Sequence, residues 1–168
     1  ILIPQISAAE NIFLGSKQVE QKYFISYRKL SKKAEDLAES YGIKIDTKAL
    51  YSSLSPSDQQ FVKILKTLAQ KPKVLILDEP TAVFSIKDID LIEDMVKTIK
   101  ESGVAVIYIT HHLDEVIDVA DRVTVLRDGK KVKTHDREKK ELDPDKLASE
   151  MVGRPVELFY KKKKHKIG

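Results

Sequence analysis

A chain of 168 residues, 42% apolar and 33% charged, has the make-up of a folded domain and not of a disordered segment. The formal charge of +4 is owed to Lys161, Lys162, Lys163, Lys164 and Lys166; without those five the body carries −1 and has no basic face, so no nucleic-acid partner is expected. The lack of cysteine excludes disulfides and Cys-based metal centres, and no apolar run approaches the ~20 residues that cross a bilayer, so the chain is cytosolic in type.

The chain starts at Ile1 without a Met, inside an apolar segment, as a fragment of a longer protein would. Ser7-Ala8-Ala9-Glu10 has the spacing of a capping box and predicts a short helix through Leu14, stopped by Gly15. Residues 16–28, with Tyr23, Phe24 and Tyr27, read as a half-buried connection. From Lys29 the apolar positions Leu30, Ala34, Leu37, Ala38 and Tyr41 recur at helical spacing until Gly42. Ser55 then suits an N-cap, Pro56 the first helical position and Asp58 the positive end of a helix dipole. Phe61, Ile64, Leu65, Leu68 and Ala69 form the apolar face of that helix. Its exposed N–H groups make a ready anion site, although an ordinary capped helix accounts for the same residues equally well. To about residue 70 the chain is helical.

At Lys73 the pattern changes. Val74, Leu75, Ile76 and Leu77 form an unbroken apolar run, which predicts a strand buried on both faces, as in parallel sheets. Pro80 ends it and leaves Asp78 and Glu79 at its carboxyl end, on opposite faces and so with different tasks. Ser85–Asp88 starts a helix striped by Ile89, Ile92, Val96 and Ile99 and ended by Ser102-Gly103. Val104–Thr110 is a second strand that delivers His111 and His112. Strand, crossover helix and strand of this length predict a right-handed βαβ unit. Asp78, Glu79 and His111 then share the carboxyl edge at which open α/β sheets bind ligands. Leu113, Val116, Ile117 and Ala120 mark a short helix and Val123–Leu126 a third strand. Asp128-Gly129 turns that strand back onto Lys131–Thr134. Asp143-Pro144 caps a last helix through Met151, with Gly153 as its stop, and residues 156–168 are a basic tail or linker.

Two carboxylates and a histidine at one sheet edge admit few chemistries. Zinc is disfavoured, because adjacent histidines on a strand diverge, and no G-x-S-x-G elbow supplies a nucleophile. A carboxylate that stays ionised to hold Mg²⁺, a second that takes a proton from attacking water and a nearby histidine suit phosphoryl transfer from a nucleotide.

Taken together, these residues resemble the ATP-binding subunit of an ABC transporter, most like the first ATPase domain of tandem simple-sugar importers. Val74–Glu79 resembles the Walker B strand, Ile109–Val116 the switch segment, Ala82–Ser85 the D-loop and Asp121–Gly129 the closing hairpin. Pro4–Gly15 and Met151–Arg154 resemble the sugar-importer branch. The resemblance implies an α/β fold, part of a P-loop NTPase core: a mostly parallel sheet with a closing hairpin, plus an α-helical subdomain. Residues 1–70 would be the helical, signature-bearing part and 71–155 the Walker B and switch half. It also implies Asp78 as the Mg²⁺ ligand, Glu79 as catalytic base and His111 as γ-phosphate sensor. Ser55, Ser57, Asp58, Gln59 and Ser85 are implied to face nucleotide. ATP and Mg²⁺ are the implied cofactors. The implied partners are a second ABC ATPase domain, a transmembrane permease subunit and, indirectly, a periplasmic or extracellular solute-binding protein. The implied place is the cytoplasmic face of the cell membrane.

Two departures qualify the resemblance. A phosphate loop requires G-x-x-x-x-G-K-[ST], and none of the six glycines, Gly15, Gly42, Gly103, Gly129, Gly153 and Gly168, fits it. By resemblance that loop and the Gln loop would precede Ile1, so these residues alone are expected neither to bind ATP tightly nor to hydrolyse it. The signature reads Leu54-Ser55-Pro56-Ser57-Asp58-Gln59, in which Pro56 removes an amide, Ser57 stands for a glycine and Asp58 adds charge facing phosphate. The alternative reading is a non-catalytic interaction module derived from such a domain. A soluble ABC ATPase of translation or DNA repair is disfavoured by the sugar-importer-like ends.

Overall fold

Ser7 begins the first helix by the device its sequence predicts. Its hydroxyl accepts the Glu10 N–H at 3.2 Å, and the Glu10 carboxylate reaches back to the Ser7 N–H at 2.8 Å. Such a cap stabilises a helix start by about 1 kcal/mol. The computed structural model describes residues 1–16, 26–137 and 142–153; the readings on Tyr23, Phe24, Arg154 and the basic tail lie outside them. These residues form two compact units, Ile1–Ile109 and Thr110–Gly168. Among the described residues no helix is long and apolar enough to cross a membrane.

In the first unit α1 (Ala8–Phe13) packs against α2 (Tyr27–Glu39) and α3 (Pro56–Leu68). Ala8, Ala9 and Ile12 on α1 are buried, as are the predicted face residues Ala34 and Ala38 on α2 and Phe61, Leu65 and Leu68 on α3. Asn11 is fully buried and ties down the entering chain, accepting from the Ile3 N–H at 2.8 Å and donating to the Ile3 carbonyl at 2.9 Å. Lys66 Nζ caps the other end of α1, donating to the Asn11 and Leu14 carbonyls at 2.9 Å each. A 3-10 turn, Tyr51–Ser53, leads into α3.

β1 (Val74–Asp78) and β2 (Ala105–Ile109) pair in parallel, Val74 beside Ala105 and Asp78 beside Ile109, with α4 (Ile86–Glu101) as the crossover packed on β2. The predicted stripe of α4 is buried at Ile92, Val96 and Ile99, joined by Met95. Burial of the strands differs from expectation. Leu75 and Leu77 are buried, but Val74 is 50%, Ile76 61%, Ile107 50% and Ile109 46% exposed. Among the described residues the parallel sheet has two strands, and only one of its faces is covered. An unbroken apolar run tells that both faces suit burial; it does not tell which face this chain itself covers.

The second unit contains α5 (Leu113–Val119), the antiparallel strands β3 (Arg122–Arg127) and β4 (Lys130–Asp136), and α6 (Pro144–Val152). Asp128 and Gly129 have φ of 50° and 70°, so both turn residues are left-handed, the backbone that a two-residue hairpin requires. A register shift follows between Val125 and Leu126. Val125, Leu142 and Leu147 form the core, with Leu113, Val123 and Met151 against it. Asp143 caps α6 by accepting the Asp145 and Lys146 N–H groups. Arg127 and His135 hold α6 onto the hairpin: Arg127 Nη1 donates to the Glu150 carbonyl at 3.0 Å, and His135 Nε2 lies 2.6 Å from the Glu150 carboxylate. Gly153, left-handed at φ 77°, ends the helix where a Cβ would come within 2.5 Å of Arg127 Nη1. Arg137 donates to the Ile117 carbonyl at the end of α5.

Candidate functional site

The ladder of β1 stops at Asp78, one residue before the second carboxylate. Glu79 has φ 45°, a left-handed backbone that a residue with a Cβ adopts at a cost of about 1–2 kcal/mol. Its N–H still donates to the Ile109 carbonyl at 2.8 Å, so the pairing with β2 holds Glu79 in this conformation. The two carboxylates therefore differ through backbone and not through strand alternation. Asp78 is exposed on the final residue of the ladder, while Glu79 sits half-buried in the turn that follows.

That turn continues through the D-loop-like residues. Pro80 and Thr81 are buried, the Ala82 N–H donates to the Glu79 carbonyl at 3.3 Å and the Phe84 N–H to the Thr81 carbonyl at 2.9 Å. The Phe84 ring then meets Phe61 of α3 edge-on, with centroids 4.9 Å apart and planes at 65°. This joins the segment after the carboxylates to the signature helix, a link no local sequence pattern predicts. Ser85 occupies the N-cap position of α4 without a side-chain cap bond to a helix N–H; its hydroxyl instead donates to Asp88 Oδ2 at 2.6 Å.

The signature segment is closed on itself. Ser55 Oγ accepts the Asp58 N–H at 3.1 Å, donates to Asp58 Oδ2 at 2.7 Å and lies 3.1 Å from Ser57 Oγ. A hydroxyl has one proton, and here Asp58 takes it. Gln59 turns away from the helix tip, and its Nε2 donates to the Tyr51 and Leu54 carbonyls at 3.2 Å each, bracing the turn before α3.

In the second unit His111 and His112 lie after the end of β2 and before α5, of which His112 is the N-cap. They do not diverge as adjacent strand residues would. Their exposed rings lie 4.0 Å apart, centroid to centroid, at 38°, and the His112 N–H donates to Thr110 Oγ1 at 3.0 Å. The reason is backbone: the strand has already ended at Ile109, so the alternation of side chains no longer applies.

These residues fit Mg²⁺ in kind, because Asp78 offers an exposed carboxylate, the hard oxygen donor that this cation takes together with phosphate and water. The 168 residues contain no G-x-x-x-x-G-K-[ST] phosphate-loop motif.

The fold is that of ABC ATPase cassettes. A dimeric bacterial ABC transporter cassette superposes with a TM-score of 0.67 at 25% identity, over 80% of this chain and 58% of that one. A metal-chelate type ABC transporter in an inward-facing conformation gives 0.69 at 18% identity, over 89% of this chain and 59% of that one, a likeness of fold alone.

In sequence, the ABC transporter family model matches residues 1–82. A ribose import ATP-binding protein of Rubrobacter xylanophilus is 42% identical over 99% of this chain and 33% of its own length. One of Rhizobium meliloti is 39% identical over 99% of this chain and 32% of its own. A xylose import ATP-binding protein of Ralstonia nicotianae is 37% identical over 100% of this chain and 32% of its own. By these matches the chain is similar to ATP-binding proteins of ABC transporters, and it spans about a third of the length of these curated relatives.

Proposed function

We propose that this sequence works within the ATP-binding subunit of an ABC importer, coupling ATP hydrolysis to uptake of a sugar or related solute. Asp78 holds Mg²⁺, Glu79 accepts the proton of the attacking water and His111 hydrogen-bonds the terminal phosphate. Bound Mg²⁺ supplies neutralisation of the charge on the transferred phosphoryl group. The partners in this reading are a second ABC ATPase domain, a transmembrane permease and, indirectly, a solute-binding protein outside the cell. The work is done at the cytoplasmic face of the membrane.

The observation that carries the reading is the end of β1. Glu79 follows the Mg²⁺-type carboxylate of Asp78 and is held in a strained backbone by its bond to Ile109. Strain retained against its cost is a mark of a working position. Support for the solute class comes from the ribose and xylose import relatives, similar along nearly the whole chain.

Within this reading residues 1–70 are the signature-bearing subdomain that docks on the permease, and 71–155 the Walker B and switch half of the core. Tyr27 and Leu50, 48% and 50% exposed, offer the first part apolar surface for docking. Ser55, Ser57, Asp58 and Ser85 face nucleotide held by the opposite domain, while Gln59 contributes by bracing the loop behind them. The Ser55–Asp58 bond makes that composite site a weak one.

The test is ATP hydrolysis by the complete subunit assembled with its permease. Glu79→Gln lowers turnover by about 10²-fold or more while ATP still binds. Unchanged turnover overturns the assignment. The 168 residues alone neither hydrolyse ATP nor bind it tightly, and sub-micromolar affinity in a calorimetric titration would count against that. The second reading is a non-catalytic interaction module; a partner bound equally well with and without nucleotide would support it.

A further inference from the structure

We propose that the open face of the parallel sheet is a self-association surface, occupied by a second copy of this chain packed face to face about a two-fold axis. Alternation along β1 and β2 puts Val74 and Ile76 on one side of the sheet with Ala105, Ile107 and Ile109. All five are exposed, and the register makes them neighbours, Val74 beside Ala105 and Ile76 beside Ile107. Parallel sheets are ordinarily covered on both faces. Here one face holds the buried Leu75 and Leu77, while the other presents aliphatic side chains to water. A contiguous patch of this kind, on the order of 300–600 Å², marks an interaction site more often than an inert surface.

Charge at the two ends of the patch suits it to a second copy. Lys73, exposed, precedes Val74 at the amino end of β1, and its flexible stem lets the ammonium serve either side of the sheet. Asp78, also exposed, closes the carboxyl end on the same side as Val74 and Ile76. Two sheets stack about 10 Å apart with their strand directions aligned to within about 30°. A two-fold axis across the strands makes the two copies run in opposite senses, so the Asp78 end of each lies over the Lys73 end of the other. An axis along the strands would instead set like charges together. The crossed arrangement is isologous, satisfies both ends and closes at two copies. It buries less than about 1,200 Å² in total, the range of weak and transient complexes, so the dimer forms only as concentration rises.

Sedimentation equilibrium of the 168-residue chain at rising concentration is the test. The mass is expected to climb from the 19.1 kDa of one chain to a plateau at twice that value. A single-chain mass at every concentration overturns the proposal, and so does growth past the dimer without a plateau. Ile76→Lys and Ile107→Lys each weaken association at least about tenfold, because a lysine would be buried without a partner. Leu126→Lys is the control: Leu126 is 67% exposed, as open as Ile76 at 61%, but lies on β3, and its replacement leaves association unchanged. Dimerisation lost in Leu126→Lys and kept in Ile76→Lys overturns the assignment of the face. Lys73→Asp and Asp78→Lys each weaken the dimer a few-fold, and the two together restore it; a double variant no better than the single ones overturns the crossed arrangement. Urea unfolding at a concentration where the chain is monomeric checks the fold. Ile76→Lys and Ile107→Lys keep the wild-type midpoint there, and unfolding of both would show that the face is core of the single chain and overturn the proposal.

Discussion

The Ser55 hydroxyl donates to the Asp58 carboxylate at 2.7 Å while accepting the Asp58 N–H at 3.1 Å, so the start of α3 satisfies itself. A glycine and a glutamine in place of Ser57 and Asp58 would leave the same helix tip open to an anion; here a carboxylate already occupies the hydroxyl. In the proposed transporter this half therefore supplies a poor signature to the opposite nucleotide, and its own carboxylates serve the working site. Replacing Ser57 by Gly and Asp58 by Gln together changes the ATPase rate of the complete subunit little. A large gain would show that the signature limits turnover and would count against this division of labour.

The same pair sets the stability of α3. Ser55→Ala removes the cap acceptor and leaves the Asp58 N–H to water, which costs about 1 kcal/mol in urea unfolding of the chain. Asp58→Ala loses the favourable charge at the helix start and one hydrogen bond, with a loss of about 0.5–1 kcal/mol. Because the two residues share one hydrogen-bonded unit, the double variant loses less than the two single losses added together.

Glu79 yields a comparison that inverts ordinary preferences. At most strand ends and helix interiors Ala is a better residue than Gly by roughly 0.5–1 kcal/mol. At φ 45° the Cβ is the burden, so Glu79→Gly unfolds at higher denaturant than Glu79→Ala, by about 1 kcal/mol in stability. Both variants are inactive in the complete subunit. Equal stability of the two would mean that the left-handed backbone is not what Glu79 maintains.

Phe61 and Phe84 couple the signature helix to the turn after the carboxylates. Phe61 is almost fully buried, so Phe61→Ala costs about 3–5 kcal/mol, and Phe84→Ala, from a half-buried position, costs less. A double-mutant cycle on the two rings reads an interaction of about 0.5–1.5 kcal/mol beyond their separate burial. An interaction of zero would deny that the edge-on contact joins the two segments.

Local signals carried most of this architecture. Ser7 and Glu10, Ser55 and Pro56, Asp143 and Pro144 and the Asp128-Gly129 pair each act within a few residues of themselves, and each forms the cap or turn that its chemistry requires. What the sequence left undecided depends on neighbours far along the chain or outside it. Val74 and Ile76 are as apolar as Leu75 and Leu77, yet exposure alternates between them, because one face of the sheet is covered and the other is not. The approach of the His111 and His112 rings depended on the strand ending at Ile109, one residue short of the predicted Thr110. Gln59 bracing the Tyr51 turn and Phe84 meeting Phe61 are contacts of side-chain reach, which periodicity does not encode.

Tyr51, the residue that Gln59 braces, ties stability to alkaline pH. Burial raises its phenol pKa above the ordinary value near 10, because the charged phenolate is disfavoured out of water. The folded chain then keeps its proton at a pH where the unfolded chain has begun to lose it. In that window the unfolded state binds fewer protons, so stability is full below about pH 10 and falls as pH rises toward the folded pKa. Lys66 works in the opposite sense. Its desolvation lowers its pKa from 10.5, so the unfolded chain holds the extra proton and this contribution to stability rises with pH over the alkaline range. Tyr51→Phe removes the falling component and keeps the ring packed, while Lys66→Met removes the rising one and also strips the cap from the Asn11 and Leu14 carbonyls. Urea unfolding of the 168-residue chain followed from about pH 8 to about pH 11 therefore gives a shallower alkaline loss in Tyr51→Phe and a steeper one in Lys66→Met. An alkaline profile of Tyr51→Phe that overlays the wild type would show that the Tyr51 phenol titrates alike in both states.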